Sequence, residues 1–280
     1  MFGVRFARVP VRGRTLWVDL HDRTLGRYFF VFQDYEPFEA TLLERAAGPG
    51  ATVVDIGANV GFYTVLLASR VGPGGRVIAI EPDPTNASLL RRSAAANDLG
   101  NVTFLEAAVL DRAGTIDLYR SKTNFGDHRV FDGAESDGAG REKVTVPAVV
   151  LDEYLERERV QPTLVKMDIQ GAEVTAFPGM IRTLSDPRVV LFCEFWPQGL
   201  RLAGSNAGAF LDSLHRAGLT LFEIREEDRT VVPVDRDELE NRYPDTGLSN
   251  LIGVHPEGIA SLERTLGVAL AGAEPSRASR

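Results

Sequence analysis

The chain has 280 residues, and its 44% hydrophobic and 25% charged residues are typical of a globular protein rather than a disordered or fibrous one. A formal net charge of −8 argues against nucleic acid or an anionic membrane as the main partner, and no apolar stretch approaches the roughly 18 residues needed to cross a bilayer. The single cysteine, Cys193, excludes an intramolecular disulfide and, with no apolar signal-peptide core at the N-terminus, favours a cytoplasmic protein.

Residues 1–50 are predicted to form a β-rich extension that packs on the core. Residues 14–20 roughly alternate between polar and apolar side chains, as a half-buried strand does. Residues 37–45 have a helical pattern that ends at Gly48-Pro49-Gly50. The main domain is predicted to follow over residues 51–256.

Strands and helices alternate through this main domain, which predicts an α/β fold. The strands are expected at 52–56, 76–80, 102–106, 163–169, 189–195, 219–225 and 249–254. Helices are expected at 60–70, at 85–97, from about 171, and at 206–217. Repeated strand–helix units imply a mostly parallel, seven-stranded sheet covered by helices on both faces. The last two strands are joined by a polar, Pro-containing segment without a clear helical pattern, so we expect the last strand to be antiparallel.

Residues 112–150 interrupt the alternation. They contain two predicted added strands, at 115–119 and 144–149, and an acidic, glycine-rich loop at 132–140 between them. This loop is either a lid over a site or a plain surface loop. Residues 257–280 are predicted to form a C-terminal tail, which is expected to be disordered from about residue 271.

A glycine-containing turn at residues 53–61 is the strongest functional feature. An apolar run ends in Asp55 and is followed by Gly57, Asn59 and Gly61 and then by a helical pattern, as in a strand–turn–helix unit that binds a nucleotide-like ligand. The spacing is not the G-x-G-x-x-G of dinucleotide-binding folds. A carboxylate at Asp55 would crowd a pyrophosphate, but it suits the cationic amino-acid end of S-adenosylmethionine.

Glu81 ends the second strand of the main domain. It lies roughly 20 residues after the turn, where a carboxylate accepts hydrogen bonds from ribose hydroxyls. Folds that bind NAD, FAD and S-adenosylmethionine share this arrangement.

A second set of polar residues lies in the segment 163–173. Lys166 and Asp168 share one face of a strand that is otherwise largely apolar, and charges in such a strand need partners or a function. Asp168 lies at the carboxyl end of the strand, where open α/β sheets bind ligands. The alternative for Lys166 is a structural ion pair with Asp168 or Glu173, and Glu173 also suits the start of the next helix.

These motifs resemble the FkbM family of S-adenosylmethionine-dependent methyltransferases. The resemblance covers about residues 35–195, and the matching segments are Tyr35-Glu36-Pro37, 54–61, 79–84, 151–154 and 166–173. The chain departs from the family at Gln170, where the family usually has Glu. A metal-dependent mechanism is therefore less favoured, and no metal site is predicted.

The resemblance implies a Rossmann-like class I methyltransferase fold and methyl transfer from S-adenosylmethionine to a hydroxyl of a sugar, a polyketide or another natural product. The residues expected to bind the cofactor are Tyr35, Glu36, Asp55, Gly57, Asn59, Gly61, Glu81, Glu106 and Ala107. The residues expected to contact the acceptor are Asn124, Asp127, Arg129, Gln170, Glu173 and Glu194.

A hydroxyl acceptor benefits from a general base, and the sequence offers Asp168 and His128, with Lys166 beside Asp168. His128 follows Asp127, which could orient it, and the imidazole titrates near neutral pH. The alternative for His128 is an exposed loop residue. We hypothesise that the segment containing Asn124, Asp127, His128 and Arg129 folds over the cofactor.

Two other functions compete with methyl transfer. An NAD-dependent oxidoreductase or epimerase is disfavoured by the spacing of the turn, by Asp55 and by the absence of a Tyr-x-x-x-Lys pair from the sequence. A non-catalytic protein that binds an adenosine ligand is disfavoured by the Lys166 and Asp168 pair beside the cofactor residues. The sequence predicts no oligomeric state.

Overall fold

The computed structural model describes residues 4–132, 140–243 and 247–270. In chain order the strands are β1 (Phe6–Val11), β2 (Arg14–Asp19), β3 (Thr52–Ile56), β4 (Arg76–Ile80), β5 (Val102–Leu105), β6 (Ala108–Val109), β7 (Gly114–Arg120), β8 (Glu142–Val149), β9 (Leu164–Met167), β10 (Val190–Phe195), β11 (Thr220–Arg225), β12 (Thr230–Pro233) and β13 (Ser249–Val254).

The helices lie mainly between these strands. They are α1 (Leu25–Phe32), α2 (Pro37–Ala46), α3 (Phe62–Val71), α4 (Pro84–Ala95), α5 (Leu151–Glu158), α6 (Glu173–Ala176), α7 (Ile181–Leu184), α8 (Pro197–Leu202), α9 (Ala207–Arg216), α10 (Arg236–Arg242) and α11 (Ile259–Leu266), with short 3₁₀ turns at Phe177–Met180 and Pro256–Gly258. None of the helices formed by the described residues is long and apolar enough to cross a membrane.

A central sheet organises the molecule. Across the described residues its strand order is β5-β4-β3-β9-β10-β13-β11-β12. The strands from β5 to β10 are parallel, and β13 runs antiparallel to both of its neighbours. Val53, Val54 and Ile56 of β3 are all buried, because a parallel strand in the middle of a sheet is covered by helices on both faces. The predicted α/β fold with its antiparallel last strand is confirmed.

The sheet has one strand more than the seven predicted. β12 pairs antiparallel with β11 at the edge of the sheet, where its terminal Pro233 needs no further ladder partner. The segment after it also contains α10, which begins at Arg236. The side chain of the preceding Asp235 accepts a hydrogen bond from Glu238 N–H. No helix was expected here. The described residues of α10 include a single buried one, Leu239, so this charged helix shows no apolar periodicity in the sequence.

Two smaller sheets flank the central one. β1 and β2 form an antiparallel hairpin in the N-terminal extension. Residues 112–150 contribute β7 and β8, which form a separate sheet with β6. Most of the acidic loop, residues 133–139, for which a lid and a plain surface loop were both expected, lies outside the described residues, as does the predicted tail from residue 271.

The apolar core lies on both faces of the central sheet. The hairpin, α2, α3 and α11 cover one face, and α5 to α9 cover the other. Leu262 and Leu266 of α11, within the segment predicted as the C-terminal tail, are buried against the first of these faces. The carboxyl ends of β3, β4, β9 and β10 remain uncovered by this packing and open at one edge.

Candidate cofactor and acceptor site

A cavity of about 720 Å³ lies at the carboxyl ends of the parallel strands. Its walls are the turn after β3, the ends of β4, β9 and β10, helix α1, and the segment 124–130. Ligands of open α/β sheets bind at this edge, and the volume is that of a small-molecule site.

The turn after β3 approaches the end of β9 through its backbone. Gly57 has φ +77°, and a Cβ on it would lie 1.8 Å from the backbone oxygen of Asp168. Glycine is therefore required here both by conformation and by space. Asn59, at φ +51°, also adopts the left-handed conformation, which asparagine tolerates better than most residues. The predicted turn is thus joined directly to the predicted reaction site.

Glu81 presents a buried carboxylate to the cavity. Its two oxygens accept hydrogen bonds from the backbone N–H groups of Asn59 and Asp83, each at 2.8 Å. Burial raises the pKa of Glu81 to about 8, although the two N–H donors oppose this shift. Each oxygen keeps a lone pair for hydroxyl donors such as those of a ribose.

An apolar part of the cavity adjoins Glu81. The small and apolar side chains that line it are Ile80, Ala107, Ala108, Val109 and Leu118. This surface suits a flat aromatic base. Of the two residues predicted near the base, Ala107 lines the cavity, whereas Glu106 points to the surface and pairs with Arg91.

Asp55 lies beneath the turn rather than on the cavity wall. Its Oδ2 accepts a hydrogen bond from Thr64 Oγ1 at 2.5 Å, while its Oδ1 is buried without a hydrogen-bond partner. Burial raises the pKa of Asp55. An orphaned buried carboxylate oxygen at this place fits a cationic ligand group held nearby, directly or through water.

Tyr35 and Glu36 stand at the entrance to α2. Tyr35 lines the cavity. Glu36 accepts hydrogen bonds from Tyr63 Oη at 2.7 Å and from Asn250 Nδ2 at 3.0 Å. Glu36 therefore ties α2 to α3 and to β13, next to the cavity.

Four polar side chains from β9, the loop after it and β10 form one wall of the cavity, here called the sheet wall: Lys166, Asp168, Gln170 and Glu194. Lys166 Nζ lies 3.5 Å from Asp168 Oδ2 and 4.9 Å from the centre of the Tyr63 ring. Burial alone would lower the pKa of Lys166, but the surrounding carboxylates outweigh it and keep the pKa above its ordinary value. Lys166 is therefore a permanent cation beside Asp168.

Glu173 supports this wall from behind and does not line the cavity. Its Oε1 accepts hydrogen bonds from Ile169 N–H at 3.2 Å and from Gly171 N–H at 3.3 Å. Burial raises the pKa of Glu173 to about 7. The side chain thus fixes the loop that carries Gln170.

The segment 123–129 is hydrogen-bonded to the turn after β3. The Phe125 carbonyl accepts hydrogen bonds from Asn59 Nδ2 at 3.2 Å and from Asn86 Nδ2 at 3.1 Å. Asn124 lines the cavity, and its Oδ1 accepts a hydrogen bond from Thr24 Oγ1 at 2.6 Å.

His128 lines the cavity, but it is buried rather than exposed. Its Nδ1 accepts a hydrogen bond from Ser121 N–H at 3.1 Å, and its Nε2 lies 3.8 Å from Asp83 Oδ2. Burial lowers the pKa of His128 despite this carboxylate. Both ring nitrogens therefore face protein groups.

Asp127 and Arg129 lie outside the cavity lining. They pair with each other at 2.5 Å, and Asp127 also accepts a hydrogen bond from Arg141 at 2.6 Å. The Arg129 guanidinium lies 4.8 Å from the centre of the Trp196 ring. These contacts brace the segment from its outer side.

A second wall of the cavity, which is apolar, was not predicted from the sequence. Tyr28, Val31 and Phe32 of α1 line the cavity, although 41%, 65% and 63% of these side chains remain exposed, and Leu248 lies beside them at 47%. We call these four residues the helix wall. The run Tyr28–Phe32 is apolar all round a short helix, and only Phe29 within it is buried, which is the signal that could have revealed a binding surface.

The strand order, the glycine turn and the carboxylate at the end of β4 define a class I methyltransferase fold whose cofactor is S-adenosylmethionine. The model of the methyltransferase FkbM domain matches residues 55–218, which is more than half of the chain. The chain therefore belongs to the FkbM methyltransferase family.

Curated relatives match parts of the chain. The 2-O-methyltransferase NoeI of Sinorhizobium fredii is 27% identical over 62% of this chain and 74% of its own. The 31-O-demethyl-FK506 methyltransferase FkbM of Streptomyces tacrolimicus is 32% identical over 45% of this chain and 46% of its own. A shorter match, 44% identical, covers 21% of this chain and 15% of the arsenite methyltransferase of Halobacterium salinarum.

The methyltransferase FkbM from Methylobacillus flagellatus superposes with a TM-score of 0.45 at 18% identity, covering 72% of this chain and 43% of that one.

Proposed function

We propose that the protein is an O-methyltransferase that acts on a hydroxyl of a sugar, a polyketide or another natural product. The observation that carries this proposal is the position of Asp168. Its carboxylate lines the same cavity as the glycine turn after β3, and its backbone oxygen lies close to Gly57 of that turn. Two of the relatives are named as O-methyltransferases or act on an O-demethyl compound, which supports oxygen as the acceptor atom.

The residues around the turn fit the cofactor. Glu81 would accept hydrogen bonds from the ribose, and Ala107 and its apolar neighbours would contact the adenine. The orphaned oxygen of Asp55, beneath the turn, would interact with the cationic amino-acid end through water. Gly57, Asn59 and Gly61 shape the turn, and Tyr35 and Glu36 close its far side. When bound, S-adenosylmethionine supplies an electrophilic methyl group.

Asp168 would accept the proton of the acceptor hydroxyl. The acceptor oxygen would then take the methyl group that the cofactor would supply, with S-adenosylhomocysteine as the other product. Lys166 Nζ, 3.5 Å from Asp168 Oδ2, would hold this carboxylate in place through an ion pair. A correctly placed base contributes about 10²- to 10⁴-fold to such a reaction, and alignment of the two reactants supplies much of the rest.

The geometry favours Asp168 over His128 as the base. Nδ1 of His128 is occupied by the Ser121 N–H, so a neutral ring carries its proton on Nε2, which points toward Asp83. His128 would therefore position the segment 123–129 rather than accept a proton. Asp127 and Arg129 would do the same from outside the cavity.

The acceptor would lie between the sheet wall and the helix wall. Asn124, Gln170 and Glu194 offer hydrogen bonds to its polar part, and Glu173 holds the loop that carries Gln170. The helix wall supports an acceptor with an apolar body. The net charge of −8 and the buried free thiol of Cys193 support a cytoplasmic enzyme without a nucleic-acid or membrane partner.

Calorimetric titration with S-adenosylhomocysteine, S-adenosylmethionine and NAD tests the cofactor on which the proposal depends. We expect both adenosyl ligands to bind and NAD not to bind. Tight binding of NAD with no response to S-adenosylhomocysteine would overturn methyl transfer in favour of an oxidoreductase. Candidate acceptors taken from neighbouring biosynthetic genes should then gain the mass of one methyl group, and binding without any turnover would favour a non-catalytic protein.

A further inference from the structure

Gln170 has a backbone conformation that turns its side chain back over the end of β9. Its φ is +55°, and the next residue, Gly171, has φ +96°. Left-handed conformation is uncommon for a glutamine, and such strain is retained where the surrounding structure or the function requires it. Gly171 cannot be replaced easily, because a Cβ there would lie 2.5 Å from the backbone of Gly199.

The Gln170 amide bridges two carboxylates. Its Nε2 donates hydrogen bonds to Asp168 Oδ1 at 2.6 Å and to Glu194 Oε2 at 3.3 Å. Asp168 Oδ2 faces Lys166 on the other side. The two donors of a single neutral amide thus separate two groups that would repel each other when both are ionised.

The surroundings of Asp168 are already rich in buried acidic side chains, and burial raises their pKa values. Among the described residues, the titratable groups that interact with Asp168 electrostatically are Lys166, Asp55, Glu36, Glu39, Glu173, Glu194 and Tyr35, from β3, β9, β10, α6 and the start of α2. Lys166 is the cation of this group. A further carboxylate would therefore require a proton or a metal ion to neutralise it.

We infer that Gln170 is a positioning residue that takes the place of a cation between Asp168 and Glu194. The inference rests on the proposed function, in which Asp168 is the base. The amide lets both carboxylates remain close without a bound ion. In the described part of the chain, no three His, Cys, Asp or Glu side chains are placed to hold a metal ion. Glutamate at position 170 would complete a set of three carboxylates, whose oxygen ligands suit Mg²⁺, Ca²⁺ or Mn²⁺.

The first test needs no acceptor. Purified wild type, Gln170→Glu and the matched control Gln161→Glu, which adds the same charge at an exposed position, are titrated with Mn²⁺ and followed by electron paramagnetic resonance. We expect the free Mn²⁺ signal to fall stoichiometrically only with Gln170→Glu. Binding by wild type at this site, or no binding by a Gln170→Glu protein that still binds S-adenosylhomocysteine, would overturn the inference.

The second test uses methyl transfer and a variant without a new charge. In Gln170→Leu the two carboxylates lose their shared donor, so the ionised form of Asp168 becomes less favourable. We expect the acid limb of the kcat profile to move to higher pH by about one unit, with KM for the cofactor unchanged. The same displacement is expected for Gln170→Glu, reversed by added Mn²⁺. An unshifted pH profile in Gln170→Leu would reduce Gln170 to a structural role, whether or not the Glu variant folds.

These outcomes separate the inference from the proposed function. If Asp168→Asn retains full turnover, the proposed base is wrong, yet Mn²⁺ binding to Gln170→Glu remains a test of the bridge. If Asp168→Asn is inactive and neither Gln170 variant shows the expected change, Asp168 remains the proposed base and the positioning role of Gln170 is wrong.

Discussion

The sheet wall and the helix wall of the cavity differ in how they are held. Lys166 and Glu194 of the sheet wall are buried, and its side chains are joined to one another by hydrogen bonds and an ion pair. The side chains of the helix wall are apolar, largely exposed and without such bonds. Fixed geometry suits the reacting groups, whereas a surface of loosely held apolar side chains suits recognition of an acceptor.

The two walls also differ in the free energy of burial of their side chains. Full burial of a large apolar side chain contributes about 1.5–3 kcal/mol, and the helix wall forgoes much of this contribution at each of its residues. An acceptor that covers the wall would recover it on binding. The sheet wall has the opposite cost, because its charges are already desolvated and depend on their partners in the folded protein.

The largest effect is expected from the sheet wall. Asp168→Asn should lower kcat by about 10²- to 10⁴-fold, because the base is lost, while Kd for S-adenosylhomocysteine changes less than about threefold. Steady-state kinetics and calorimetry measure the two quantities. His128→Gln serves as the comparison. A greater loss of kcat in that variant would show that His128, and not Asp168, accepts the proton.

The next effect tests the contact that joins the turn to the sheet wall. Gly57→Ala should lower the free energy of unfolding by about 2–4 kcal/mol, because the new Cβ overlaps the Asp168 carbonyl and the conformation is strained. Gly50→Ala is the matched control, since Gly50 has φ +79° with no atom within 4 Å of an added Cβ. Equal losses in urea denaturation would show that strain alone matters.

A smaller effect is expected for Glu81→Gln. Ribose hydroxyls favour the ionised carboxylate, so the affinity for S-adenosylhomocysteine should rise as pH increases from about 6 to the raised pKa of about 8 and then level off. Binding at pH 7 should release a proton, which is seen by calorimetry in buffers of different ionisation enthalpy. Glu81→Gln should bind about 10- to 100-fold more weakly at pH 8 and lose this dependence.

The same raised pKa of Glu81 has a consequence for stability. Since burial favours the protonated form in the folded state, its stabilising contribution is complete below the ordinary value of 4.5 and is lost as pH rises through about 8. Thermal denaturation of the ligand-free protein should therefore show less pH dependence in Glu81→Gln. An unchanged dependence would place the titration elsewhere.

The smallest effect is expected from the helix wall. Phe32→Ser should weaken binding of an apolar probe, octyl glucoside, by about tenfold with S-adenosylhomocysteine bound, because about 1.5 kcal/mol of burial is lost. The stability of the protein should change little, since the side chain is exposed. Leu202→Ser, an exposed apolar residue outside the cavity lining, is the control. Equal loss in both variants would remove α1 from the acceptor site.

The part of the site at the carboxyl ends of the parallel strands could be predicted, because its position follows from backbone rules. Parallel strands end at one edge, so Asp55, Glu81 and Asp168 had to lie near one another once their strands were recognised. Glycine at position 57 signalled a conformation that other residues avoid. The pairing of Lys166 with Asp168 followed from their shared strand face.

The features that were not predicted depend on tertiary contacts or on elements too short to show a pattern. Periodicity describes a helix but not what lies opposite it, so the exposed face of α1 was not recognised as a wall. Asp127 and Arg129 were expected in the site because they flank His128, yet they turn outward to Arg141 and Trp196. β12 has only four residues, too few to show an alternating pattern, and α10 is a short, highly charged helix with little apolar periodicity.

The contact between Gly57 and the Asp168 carbonyl also bears on evolution. The position of Asp168 relative to the glycine turn depends there on main-chain atoms, which side-chain substitutions elsewhere leave in place. The helix wall can therefore accumulate changes and accept new acceptors while the reacting groups keep their alignment. If Asp168 acts as proposed, this protein could change its acceptor without a change in its reacting groups.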